Sequence, residues 1–228
     1  MTGIAHLTKL CQLEWTNQPH TPYSALAELP GVTSFQTDFP SEDLTMLTQL
    51  RHLAIGPDRV FWLFPESFSV LSAVTSLQAG SRHGTNRSDI LSMRAFPNLH
   101  KLVLNGPFKL VQQGNYPGRL SRWDALASLT QIDHLELVDV DHTHKGMQRL
   151  GTLTQLTHLR LDSISRSTLP QLNNQLTNLS SLTKLNLLVC RFCSTVHVRA
   201  CDSSECGKSL KQLLMQQGAL VHIDIQVV

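Results

Sequence analysis

Large apolar residues recur along this chain in the spacing L-x-x-L-x-x-L-x-L, which joins a period of three to a period of two. Three copies are close: Leu47, Leu50, Leu53 and Ile55; Leu153, Leu156, Leu159 and Leu161; Leu179, Leu182, Leu185 and Leu187. Leu129, Ile132, Leu135 and Leu137 repeat the pattern with one conservative change, and Phe96, Leu99, Leu102 and Leu104 repeat it with Phe first. Looser copies start at Leu7, Leu29, Leu71 and Ala219, so nine units cover nearly the whole chain. The L-x-L alternation predicts a short strand with one apolar face. Segments 88–96, 122–129, 145–153 and 209–217 space apolar residues three and four apart, which predicts a helix in each. One strand and one helix cannot bury their apolar faces alone, so neighbouring units are expected to stack.

The third apolar positions fall at 13, 35, 53, 77, 102, 135, 159, 185 and 223, and most of the steps between them lie in the window of the leucine-rich repeat. On LTQLTHLRL at 153–161 and LSSLTKLNLLVC at 179–190 the chain resembles the leucine-rich-repeat family, over residues 4–228. That resemblance implies an α/β solenoid, curved, with parallel strands on the concave face and helices on the convex face. It implies a single domain, 1–228, of about nine irregular repeats. The family's ninth consensus position, Asn or Cys, is occupied here by Gln18, Asp58, Arg82, Pro107, Val140, Ile164, Cys190 and Val228. Only Cys190 fits, so the turns after the strands should be irregular. Two steps are long and imply insertions near 105–121 and 191–208, the first punctuated by Gly and Pro. Residue 4 already begins a repeat and Val228 ends on a strand, so the chain is expected to be a piece of a longer array or to end unusually.

Leucine makes up 39 of the 228 residues, yet the longest unbroken apolar run is Val60 to Phe64, far short of the roughly 18 residues a membrane helix needs. Residues 1–13 lack the basic start and apolar stretch of a secretory signal. The cysteine count, 5, is odd, which argues against a disulfide framework and for a reducing, cytoplasmic setting. Net charge is only +2, although residues 82–122 are locally basic, so a nucleic-acid partner is not favoured. No phosphate-binding Gly loop, nucleophile elbow or H-E-x-x-H helix is present, and nothing pairs a nucleophile with a base, so neither an enzyme nor a cofactor is expected.

Two clusters carry metal-ligating side chains. Cys190, Cys193, Cys201 and Cys206 form C-x2-C-x7-C-x4-C, a set that a zinc ion or a redox disulfide would use; ordinary buried thiols are the favoured reading. Asp139, Asp141, His142 and His144 follow a strand, where a solvated turn is favoured over a metal site.

The strand period also fixes which side chains leave the core. Just before each third apolar position stand Gln12, Ser34, His52, Ser76, Lys101, His134, His158, Lys184 and His222. Just after it stand Glu14, Gln36, Ala54, Gln78, Val103, Glu136, Arg160, Asn186 and Asp224. A stripe of imidazoles and amines beside scattered carboxylates suits a protein-binding wall, with a plain solvated sheet face as the rival. The central candidates are His134, Glu136, His158, Arg160, Lys184 and Asn186, and imidazoles in that row imply tighter binding to an acidic partner as pH falls. The expected function is a non-enzymatic protein-protein interaction module, implied by the resemblance, which serves as an adaptor or substrate-recognition subunit and takes no small-molecule substrate. The alternatives are an extracellular ligand-binding ectodomain, glycosylated at Asn86 or Asn178, and a zinc- or redox-regulated scaffold built on Cys190–Cys206.

Overall fold

The repeated L-x-L places a strand in every unit of the computed structural model, which describes residues 9–15, 29, 31–38, 42–56, 70–80, 93–108, 122–140, 148–164, 169–189 and 222–227. The chain divides into two compact units, Met1–Pro107 and Phe108–Val228. In the first, strands β1 (Gln12–Trp15), β2 (Ser34–Thr37), β3 (His52–Ile55), β4 (Ser76–Gly80) and β5 (Lys101–Phe108) pair in sequence order, all parallel. In the second, β6 (His134–Val140), β7 (His158–Ile164), β8 (Lys184–Val189) and β9 (His222–Val227) do the same. The pairing aligns the third apolar positions with one another: Leu13 meets Phe35, Leu53 meets Leu77, and Leu135, Leu159, Leu185 and Ile223 follow in line. This is an α/β repeat solenoid.

The first half of the pattern, L-x-x-L-x-x-L, does not build the long helices its spacing suggests. Its period of three closes i to i+3 turns: Leu47 N–H donates to Leu44 O and Leu50 N–H to Leu47 O, and the same pair of bonds recurs at Phe96 and Leu99, Leu129 and Ile132, Leu153 and Leu156, Leu179 and Leu182. A repeat of 3.0 keeps every third side chain on one line, where a 3.6-residue helix would rotate it away. All of these residues are buried. Glu42–Met46 and Met93–Ala95 are single 3-10 turns. The helix expected over 88–96 is therefore described only as that second turn, and the one expected over 145–153 as a helical turn at 148–150. The one expected over 122–129 is α1 (Arg122–Ala127), and 209–217 lies outside the described residues. A helix that spacing did not flag, α2 (Leu169–Leu176), buries Leu172 and Leu176, and its Pro170 sits in the first turn, where a missing N–H removes no hydrogen bond. Among the described residues no helix is long and apolar enough to cross a membrane.

Outside the sheet ladder, the hydrogen bonds from one unit to the next among the described residues gather at the entrance to the strand. Two successive N–H groups share one carbonyl of the preceding unit: Thr33 and Ser34 on Cys11 O, Thr75 and Ser76 on Arg51 O, Thr157 and His158 on Asp133 O, Thr183 and Lys184 on Thr157 O. Threonine adds its hydroxyl to the same carbonyl, Thr157 Oγ1 to Asp133 O at 3.1 Å and Thr183 Oγ1 to Thr157 O at 3.0 Å. In the turn before the strand, Gln49 Nε2 donates to Leu29 O at 3.0 Å and Asn98 Nδ2 to Ser72 O at 2.8 Å. Threonine hydroxyls and amide side chains thus tie successive units together.

Three details correct the expected face and loop assignments. Val103, read as part of the outward row, is 8% exposed and counts with the core. Pro107 and Val140, read as turn positions, lie inside β5 and β6, and the segment 105–108, read as insertion, is strand. Ile164, read as a turn position, is fully buried. Its burial follows from a bulge: Leu161 pairs with Leu187 and Ile164 with Val189, so β7 carries one residue more than β8 over that stretch. Ser163 absorbs it at φ 64°, a left-handed backbone that L side chains seldom adopt. Ser163→Gly is expected to leave stability within about 0.5 kcal/mol, and Ser163→Val to lower it by about 1–2 kcal/mol in chemical denaturation. Equal effects would show that the left-handed turn carries no strain.

Candidate functional site

The strand alternation that sends Leu135, Leu137, Leu159, Leu161, Leu185 and Leu187 into the core of the second unit sends the six candidate residues to the other face. Register places His134 beside His158 and His158 beside Lys184 in one row, and Glu136 beside Arg160 and Arg160 beside Asn186 in the next. Adjacent parallel strands stand about 4.8 Å apart, so the six form one patch on rigid elements. Register continues the rows to His222 and Asp224 on β9.

Most of the patch is held by internal contacts. The His134 and His158 rings stack with centroids 5.1 Å apart and planes 9° from parallel. His134 Nε2–H donates to Glu136 Oε1 at 2.9 Å, two residues along the same strand face. The Thr157 hydroxyl uses its one proton on Asp133 O, so at 2.9 Å it accepts from His158 Nδ1–H, and this fixes the ring's tautomer. Arg160 is clamped by a residue that the sequence reading passed over: Nε donates to Asp162 Oδ1 at 3.2 Å and the terminal NH2 to Asp162 Oδ2 at 2.9 Å. This two-pronged bond raises the Arg160 pKa above its ordinary value; burial opposes it, and the charges of Asp162 and Glu136 add to it. A raised pKa on a cation keeps the charge on, so the fork stays positive at every working pH. The other terminal NH2 lies 3.8 Å from Glu136 Oε2, an ionic contact without a hydrogen bond.

Exposure sorts these charges. The Asp162 side chain is 9% exposed and Glu136 18%, against 47% for Arg160. Lys184 is exposed. The carboxylates are recessed and turned to their partners, while the cations reach outward. Asn186 has a buried side-chain oxygen with no hydrogen-bond partner among the described residues.

Of the expected chemistry, all six face residues come together, with Asp162 as a seventh. The signal for Asp162 was in the chain: Arg160 and Asp162 are opposite charges two apart on a strand, hence on one face. The cysteine cluster 190–206, and Asp141, His142 and His144, lie outside the described residues, as do Lys109 and Arg119 of the basic stretch 82–122, and of Asp139 only the backbone is described. Cys11 is an exposed free thiol. Trp123 fills the core at 2% exposure, as a buried indole is expected to do. Among the described residues no three His, Cys, Asp or Glu side chains are gathered as a metal ion would require.

Truncating the clamp has a readable consequence. Arg160→Ala leaves the recessed Asp162 carboxylate without its fork, and since Arg160 is half exposed the expected loss is only about 1–2 kcal/mol, measured by urea denaturation. A loss below about 0.3 kcal/mol would mean that solvent replaces the fork at no cost.

No protein-family model matches the chain, and no curated protein matches it. Among solved structures the chain is similar to an internalin C2 from Listeria monocytogenes str. 4b F2365, at 17% identity and a TM-score of 0.53, over 97% of this chain and 83% of that one. An identity that low speaks to architecture alone, and together with the parallel strands and the aligned leucines it shows the leucine-rich-repeat fold.

Proposed function

We propose that the chain is a non-enzymatic protein-binding module, an adaptor or substrate-recognition subunit, whose partner covers the open face of β6, β7 and β8. The observation that carries this reading is the Arg160 fork: a half-exposed cation locked by Asp162 on a strand, within a patch in which His134, Glu136 and His158 are also held in place. A side chain already ordered loses little freedom on binding, and arginines fixed near the centre of a patch are typical hot spots. The odd cysteine count and the exposed Cys11 thiol support a reducing, cytoplasmic setting.

The experiment is hydrogen exchange of the chain with and without a partner isolated on it, followed by titration of Arg160→Ala and His158→Ala. Protection of β6–β8 and a tenfold or larger loss with Arg160→Ala are expected, by the usual size of a hot-spot truncation. Unchanged affinity in both variants, with loss on changing Lys109 or Arg119 instead, would move the site to the 105–121 segment.

A further inference from the structure

We infer that the occupant of this face is an acidic peptide segment in extended form, which places carboxylates on Arg160 and Lys184. The inference rests on the open face of β6–β8 being the binding surface and adds the chemistry of what it takes. Charge complementarity is the first ground. Counted as residues, the described part of the patch is balanced, with Arg160 and Lys184 against Glu136 and Asp162. Counted by exposure it is not, because Glu136 is turned to His134 and Arg160, and Asp162 to Arg160. An approaching partner therefore meets cations first.

The donor inventory is the second ground. A guanidinium has five N–H groups, and Asp162 takes two of them. Glu136, at 3.8 Å, is too far to take a third by hydrogen bonding. Arg160 thus keeps donors for a second carboxylate while the first holds it in place, and charge-assisted bonds of this kind are about twice as strong as neutral ones.

A nucleic acid would bring its closely spaced phosphates toward Glu136 and Asp162 as well as toward the cations, whereas a peptide can place single carboxylates on the cations. Spacing agrees as well: Lys184 pairs with His158, two residues before Arg160, so the two cations sit about 8 Å apart on the diagonal, from the strand spacing and rise. Alternate side chains of an extended peptide are about 7 Å apart, and the flexible Lys184 stem closes the difference.

The test measures fluorescence anisotropy of a short labelled peptide with Glu at alternate positions and Thr between, titrated with the full chain at low salt. A Lys-Thr peptide of equal length and single-stranded DNA and RNA of equal charge are the comparison probes. The acidic peptide should bind and the basic one should not, with affinity falling as salt rises. Arg160→Ala should weaken binding tenfold or more, and Lys184→Ala about threefold. Glu136→Gln should strengthen it about threefold, because it removes a competing charge from beside the fork, and a gain cannot come from misfolding. Equal binding of the two peptides, no binding of the acidic one, tighter binding of either oligonucleotide, or no gain with Glu136→Gln would overturn the inference. A natural partner that protects β6–β8 without using acidic residues would overturn it too while leaving the binding face standing, whereas a partner held on the 105–121 segment would remove the face itself.

Discussion

Leu159→Ala and Leu185→Ala are each expected to lower stability by about 2–5 kcal/mol, while Lys184→Ala stays within about 0.5 kcal/mol. Leu159 is 2% exposed and Leu185 is fully buried, each at the third apolar position of a unit and each in register with the same position of its neighbours. Removing three carbons there leaves a cavity between units that the parallel sheet on one side and the turn leucines on the other prevent from collapsing. Lys184, one residue before Leu185, points the other way and is exposed. His158 is an intermediate case. Its ring stacks on His134 and donates to Thr157, so His158→Ala is expected to cost about 1 kcal/mol through the lost stack and bond. Urea denaturation of the four variants decides the matter. Because strand side chains alternate, equal losses at Lys184 and Leu185 would mean that the face assignment is inverted, and the proposed binding surface would fall with it.

The strand half of each unit was legible because alternation has one physical reading: a strand with one apolar face has a period of two and nothing else does. That is why the register could be placed to the residue and why all six face candidates emerged on one side. The turn half was legible in position and misread in kind. Leucines three apart fit an α-helical face almost as well as a 3-10 line, and only the bond pattern, Leu50 N–H to Leu47 O and its counterparts, separates the two. Helix α2 was passed over for a related reason, since Pro170 reads as a breaker until it is known to lie in a first turn. The bulge at Ser163 left no sequence mark at all: a serine in a left-handed position looks like any other serine. Asp162 was passed over because the L-x-L pattern stops at Leu161, although its charge, opposite to Arg160 and two residues on, was there to be used. The site was therefore half legible. Which side chains share the face follows from period, but which of them hold one another depends on where the strand ends.

Gly56→Ala is the second large effect expected, a loss of about 1–3 kcal/mol, the usual range for overfilling a packed site. Gly56 follows β3, is buried, and donates its N–H to Thr37 O at 2.8 Å. Thr37 is fully buried and the neighbouring Asp38 is 6% exposed. A Cβ built on Gly56 would overlap Asp38 Oδ1 and stand 3.0 Å from its Cγ. The Asp38 side chain has to swing aside within a packed, buried setting, and that repacking is the cost. Gly151→Ala is the control. Its Cβ would meet Gln175 Oε1 and, at 3.2 Å, Asn178 Nδ2, both at the ends of side chains that can turn away. Once the Gln175 amide has turned away the alanine still stands 3.3 Å from Gln175 Cβ, but it also narrows the unfolded chain, and Gly151→Ala is expected to stay within about 1 kcal/mol of neutral. The mechanism is isolated by pairing Gly56→Ala with Asp38→Ala. If the Asp38 carboxylate is the obstacle, the glycine substitution should lose at least about 1 kcal/mol of its effect in that background, well above the non-additivity of unrelated sites. If Gly56→Ala costs the same with and without the carboxylate, the constraint lies in the backbone that joins Gly56 to Thr37, and the close approach of Asp38 is incidental.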